Sequence, residues 1–307
     1  MTPVSSGPAF LSAVRAAGGG LHLVHLYPAV DPSLDAEIER MVSARSAILC
    51  KGEVSLSRRG LLNCKKISYS WQGDWVGTPE NSFAGLRKHV KKSIRGRSGP
   101  TRVYAVEARD ISEMVALKAE IRALAGLGTW PCHITDTREE ALALAAIYFN
   151  ENALLVWNGR GIVSDTAAFD ARVDALKARL AEHSLPLDGI CGAGSTVLSA
   201  MGLRRSRDFD YLALDSRYDV LKDGVYSPHD SQLRYYPAPK ERIIEDPALH
   251  FVYRGVKIAS PDVVLAMKRA RGEWPKDWKD ALRIVLFRAK SRFLARHAAM
   301  RLGGLLV

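Results

Sequence analysis

The sequence predicts an α/β protein in two parts, the second of α+β character. Three observations carry this. Strand-like and helix-like segments alternate from Leu21 to Asn158. A Gly159-Arg160-Gly161 break follows them. Beyond it come a short apolar run, a Gly194-Ser195 turn, a helical spacer and Asp208-Phe209-Asp210. The expected boundaries are a flexible tail over 1–20, an α/β domain over 21–160 and a second domain over 165–307, with the junction near Asn158–Ser164. A chain of 307 residues is long enough for two domains.

In the first part, Leu21–Tyr27 is largely apolar and reads as a strand, broken by Pro28 and Pro32. Ser33 is placed to cap a helix running to Val42. Short strands are expected at Ser46–Lys51 and Val54–Leu56, then a short helix over Ser57–Lys66. A loop from Gly77 leads to a helix beginning at Phe83. Thr101–Glu107 alternates cleanly and is a strand. Ile111–Leu124 has helical spacing, with Gly126 as its stop. His133-Ile134 is a short strand, and Thr137-x-x-Glu140 has the form of a capping box before a helix over 141–149. Asn152–Asn158 reads as a further strand.

In the second part, Phe169–His183 is a helix leading to the Gly194-Ser195 turn. His250–Ile258 is strand-like with a turn at Gly255, and Ser260-Pro261 starts another helix.

Lys and Arg outnumber Asp and Glu by 44 to 33, a net charge of +11. That excess favours polyanionic partners without choosing among nucleotides, nucleic acid, anionic glycans or a membrane surface. Cys50, Cys64, Cys132 and Cys191 form no metal-binding spacing and read as reduced core thiols. No apolar run reaches the roughly eighteen residues of a membrane span, and the N-terminus lacks the pattern of a signal peptide. A cytoplasmic protein is the expectation.

The chemistry concentrates in the second part. Side chains at i and i+2 of a strand share a face, so Asp208 and Asp210 lie side by side. Paired carboxylates repel each other in a dry core but serve well as oxygen ligands for a hard cation. This constellation resembles the nucleotidyltransferase superfamily of DNA polymerase β, whose pattern is a Gly-Gly/Ser turn, a spacer, then Asp-apolar-Asp/Glu. Here twelve residues separate Ser195 from Asp208. The resemblance spans about residues 168–290. It implies a mixed sheet flanked by helices, with Asp208 and Asp210 holding Mg²⁺ (or Mn²⁺). It also implies Gly194, Ser195 and the next backbone N–H groups at the phosphates of a nucleoside triphosphate. Arg204, Arg205 and Arg207 flank the site as phosphate or acceptor contacts. Lys268 is a candidate phosphate or sugar contact, while Lys276, Asp277 and Asp280 tie helices together. The family's third carboxylate has no clear counterpart; Asp230, Glu241, Glu245 and Asp246 are the nearest candidates.

The expected activity is therefore Mg²⁺-dependent nucleotidyl transfer to an acceptor that is RNA, protein or glycan. Two alternatives stay open. One is a phosphotransferase or sugar-nucleotide enzyme of the same fold in surface-glycan assembly. The arrangement also resembles uncharacterised bacterial proteins encoded with surface-polysaccharide genes. The other is a nucleic-acid-binding or regulatory module with a degenerate site. Two places in the first part invite function as well. Lys88–Arg97 carries a basic run suited to polyanions. His133, Asp136, Glu139 and Glu140 could bind a metal or transfer protons, or simply cap a helix. Trp71, Asp74 and Trp75 could stack on a base or sugar, or plug the domain edge.

Overall fold

The strand Leu21–Leu26 (β1) is buried along all six residues, which requires cover on both faces of its sheet. The computed structural model describes residues 20–69, 72–97, 99–108, 110–161 and 167–300. Packing divides the chain into one unit of residues 1–149 with 292–307 and another of 150–291.

In the first unit β1 is followed by α1 (Asp35–Ser43), β2 (Ala47–Val54), α2 (Arg58–Tyr69) and α3 (Ala84–Ile94). Then come β3 (Thr101–Glu107), α4 (Ile111–Ala125), β4 (Cys132–Ile134) and α5 (Arg138–Tyr148). The strand order is β2-β3-β1-β4 and every pairing is antiparallel. Val24 and Leu26 join Ile38 and Val42 of α1 and Met114, Leu117 and Ile121 of α4 in one buried cluster. On the other face, α5 packs on β1 and α2 packs on α3 and α5. The alternation of Val24 and Leu26 with Leu23 and His25 serves those two layers.

Most local expectations in this unit hold, with differences. The two strands expected at 46–51 and 54–56 are one strand, because Gly52 pairs with Val103 instead of breaking the run, and a bulge lies between Ile48 and Cys50. Asp31 replaces Ser33 as the cap, accepting from the Ser33 N–H at 3.0 Å ahead of a 3₁₀ turn. Thr137 accepts from the Glu140 N–H at 3.1 Å as foreseen, but Glu140 reaches back to the Asp136 N–H instead of Thr137.

The second unit begins with α6 (Glu151–Gly159), where a strand was expected. Asn150 caps it through the Ala153 N–H at 2.9 Å, and Ala153, Val156 and Trp157 are buried at helical spacing. The apolar run misled because its helical and strand readings differ little over seven residues. There follow α7 (Ala167–Glu182), β5 (Ile190–Gly192), α8 (Gly194–Ala200), β6 (Phe209–Ala213) and β7 (Tyr226–Pro228). Next are α9 (Lys240–Glu245), β8 (His250–Tyr253), β9 (Val256–Ala259), α10 (Pro261–Arg271) and α11 (Lys276–Met300). The sheet is mixed, in the order β7-β6-β5-β9-β8. β5 pairs antiparallel with β6 and parallel with β9, and β6 runs parallel to β7. Arg254 and Gly255, both at positive φ, make the two-residue turn between β8 and β9. Ser260 then caps α10 through the Val263 N–H, with Pro261 in its first turn. Much of the junction expected at 158–164 and almost all of the expected tail lie outside the described residues, as does Trp71. Among the described residues no helix is long and apolar enough to cross a membrane. All four cysteines are unpaired.

Candidate functional site

The turn between β5 and α8 and the start of β6 bring Gly194, Ser195, Asp208 and Asp210 together. Ser195 donates twice to Asp210 Oδ2, from its backbone N–H and from its hydroxyl, each at 3.0 Å. The Asp210 carbonyl accepts from the Ala193 N–H at 2.8 Å and from the Thr196 hydroxyl at 3.1 Å. Four hydrogen bonds thus lock the turn to the strand. Gly194 has φ +50°, and a Cβ there would lie 2.7 Å from Asp210 Oδ2 and 3.2 Å from His229 Nε2. Only a residue without a side chain fits this close approach.

Asp208 stands just ahead of β6 and is half-buried. Its carbonyl accepts from Arg172 Nη1 of α7 at 3.1 Å, and the same guanidinium group reaches the Ser206 hydroxyl at 3.2 Å. Arg172 therefore fixes the approach to the strand. No hydrogen bond or ion pair engages the Asp208 carboxylate among the described residues.

Two residues that the sequence did not single out complete the surroundings. His229, at the end of β7, points Nε2 toward Gly194 and hydrogen-bonds the Tyr236 hydroxyl through Nδ1 at 2.7 Å. Burial lowers its pKa, against the opposing pull of Asp210, so the ring is neutral near pH 7. Tyr236 lies beside the Gly194 backbone, and burial pushes its phenol up. A Pro-His-Asp stretch carries no sequence signal for this role. It is the parallel pairing of β7 with β6 that delivers His229.

Several expected contacts go elsewhere. Lys268, expected at a phosphate, is fully buried between Asp277 at 3.1 Å and Asp280 at 2.9 Å. Arg204 makes a two-pronged contact with Asp280 at 2.9 and 3.0 Å. Asp277 and Asp280 tie α10, α11 and the 204 loop together, as expected of them; Lys276 only comes within 3.8 Å of Glu273. Arg205 and Arg207 are exposed. Ser195 directs its N–H at Asp210, so one donor expected to greet phosphate already has an acceptor. None of the candidate third carboxylates joins the pair. Asp230 pairs with Lys240, Asp246 accepts from the Ala248 N–H, and Glu241 and Glu245 are exposed. Among the described residues no three His, Cys, Asp or Glu side chains converge to hold a metal ion.

In the first unit, His133 and Glu140 meet at 2.7 Å, both buried, and Asp136 pairs with Lys118 at 2.6 Å. Glu139 stays exposed in the first turn of α5. Lys88, Lys91, Lys92 and Arg97 are exposed around α3, with Lys92 over the Trp130 ring. Trp75 contacts Tyr69 and His89; Asp74 is exposed.

No protein-family model matches the chain, nor does any curated protein or solved structure.

Proposed function

We propose that the second unit carries a Mg²⁺-dependent (or Mn²⁺-dependent) nucleotidyltransferase site, acting on a nucleoside triphosphate and a polyanionic or hydroxyl-bearing acceptor: RNA, protein or glycan. The observation that carries this reading is the locking of Gly194-Ser195 onto Asp210, with Asp208 two residues away on the same edge. The residues suit a hard divalent ion. Two half-buried aspartates stand two residues apart at the start of β6, and among the described residues the Asp208 carboxylate has no protein partner. Mg²⁺ commonly takes one or two carboxylates and completes its shell with water and substrate phosphate. Asp208 and Asp210 would hold it, and when bound it would supply charge neutralisation for the phosphates.

The protein's own part follows from the lock. Ser195 orients Asp210, Arg172 holds the backbone at Asp208, and exposed Arg207 offers charge for phosphate or acceptor.

The test is transfer of label from α-³²P nucleoside triphosphates, with Mg²⁺, to RNA, protein and glycan acceptors. Asp208→Ala and Asp210→Ala should each reduce transfer about a thousandfold or more, several kcal/mol of barrier. Transfer undiminished in both variants would refute the reading.

One observation favours a second reading, a nucleic-acid-binding or regulatory module. Asp210 itself takes the Ser195 donors, and Lys268 and Arg204 are held by aspartates. That reading expects strongly salt-dependent nucleic-acid binding that survives Asp208→Ala, with no metal-dependent turnover.

A further inference from the structure

A cleft of about 360 Å³ opens in the first unit, between the end of α2, the 74–76 turn, α3, α4 and the start of β4. Small-molecule clefts run from roughly 300 to 1,000 Å³. Nothing in the nucleotidyltransferase reading uses this cleft.

The charges at its wall leave one cation over. Lys118 is neutralised by Asp136 at 2.6 Å. Arg122 has no carboxylate partner among the described residues, and its Nε is buried without an acceptor. Its recorded neighbour is the Cys132 thiol, a weak acceptor. A guanidinium Nε buried without an acceptor is costly to leave so.

The polar groups beside it are also incomplete. His89 is 5 % exposed, lines the cleft, and has Nδ1 buried without a partner. Burial, reinforced by the Lys65 charge, lowers its pKa to about 2, so it is a neutral ring with one donor and one acceptor. Behind the cleft, both ring nitrogens of His25 and the Lys65 amine, which stands over the Tyr27 ring at 3.5 Å, are buried without hydrogen-bond partners as well. Such orphans are rare in folded proteins and call for an explanation.

Tyr69 presents the complementary function. The Glu140 carboxylate can only accept, so His133 Nε2 donates to it at 2.7 Å and Nδ1 is left as an acceptor. The Tyr69 hydroxyl then donates to Nδ1 at 3.1 Å. Its oxygen is left to accept from a ligand hydroxyl. Trp75, 43 % exposed, stands at the mouth as a flat apolar surface.

We propose that this cleft binds a small ring compound bearing one carboxylate and at least one hydroxyl. The carboxylate lies on Arg122, the hydroxyl on Tyr69 and His89, and the ring against Trp75. Of the two cations lining the cleft, Arg122 is the one without a carboxylate, and a single negative charge matches it more closely than a phosphate dianion does. Arg is also the side chain whose planar fork fits a carboxylate in two-pronged fashion.

The ring has two chemical sources, aromatic or sugar, and the test separates them. The full chain is titrated calorimetrically with 4-hydroxybenzoate, with D-glucuronate and with inorganic phosphate. One of the two carboxylates should bind one to one. Arg122→Gln should weaken it about tenfold or more, the scale of a lost charge-assisted hydrogen bond. Trp75→Ala, at a partly exposed position, should weaken it severalfold and keeps the test open should Arg122→Gln fail to fold. Asp208→Ala should leave it unchanged. Binding by neither carboxylate, tighter binding of phosphate, or full affinity in both Arg122→Gln and Trp75→Ala would overturn the proposal.

Discussion

Replacing Lys268 with methionine keeps an unbranched stem of four heavy atoms and removes the charged amine at its end. In the native protein Nζ lies 3.1 Å from Asp277 and 2.9 Å from Asp280, with all three side chains no more than 2 % exposed. At such separations each attraction is about 5–6 kcal/mol at an effective dielectric near 20. Most of that is offset by desolvating the ions, and removing one partner of a buried pair costs about 3–5 kcal/mol. The carboxylates are not abandoned here. Arg271 still donates to Asp277 at 2.6 and 2.8 Å, and Arg204 to Asp280 at 2.9 and 3.0 Å. The loss should therefore fall near the low end, about 3 kcal/mol. Hydrogen exchange of the slowest α10 amides reads the stability of this unit directly. Lys268→Met should speed it by roughly a hundredfold or more.

A pH series sharpens the test. Burial works to raise the Asp277 carboxyl, but hydrogen bonds from Arg271 and the charge of Lys268 prevail and lower it from 3.8 to about 2. A depressed folded pKa means stability that is present above about pH 4 and lost as pH falls toward about 2. The deficit of Lys268→Met should thus narrow below pH 4. A loss under about 1 kcal/mol at pH 7, or a deficit that widens in acid, would show that the buried network does not hold α10 to α11.

Three further outcomes are expected. Gly194→Ala forces a β-carbon to 2.7 Å from Asp210 Oδ2 at a positive φ; it should cost about 1–3 kcal/mol and abolish the proposed Mg²⁺-dependent nucleotide binding, measured by equilibrium dialysis. Gly159→Ala places a methyl 2.6 Å from the Phe287 ring. It should lower the thermal midpoint through about 1–3 kcal/mol of overpacking, and Phe287→Leu in the same chain should restore part of it. Asn150→Ala removes the cap of α6 and two donors, to the Pro247 and His250 carbonyls at 2.9 and 3.0 Å. It should cost about 1–3 kcal/mol and speed amide exchange in α6, whereas unchanged exchange there would count against the cap.

What the sequence could tell depended on whether the deciding contact was local. Gly126 after α4 and Thr137 before α5 are caps whose partners lie within four residues, and both were legible. The strand at Phe209–Ala213 was legible for the same reason, since period two is a property of the chain itself, although Asp208 falls just ahead of it. Lys268 was misread because its partners are nine and twelve residues on, across a bend that no periodicity reports. α6 was misread because five apolar residues in a row fit either period, and the deciding observation is Asn150 reaching residues nearly a hundred positions away. His229 and Tyr236 lay beyond reach altogether: their place beside Gly194 follows from β7 joining the sheet edge parallel to β6.

The anchoring of Asn150 bears on how the protein can be taken apart. The glycines at 159 and 161 invite a cut there, and a fragment begun at residue 165 would look complete by its strands. It would lack α6, whose Trp157 lies against Phe251 and Tyr253 and whose Leu155 carbonyl accepts from Ser291 at 2.5 Å. The outer β8 and the underside of α11 would then face water, an adhesive apolar edge in place of a finished one. A fragment meant to carry Asp208 and Asp210 alone has to begin no later than Asn150, and the short helix ahead of the glycines is its lid, not its leader.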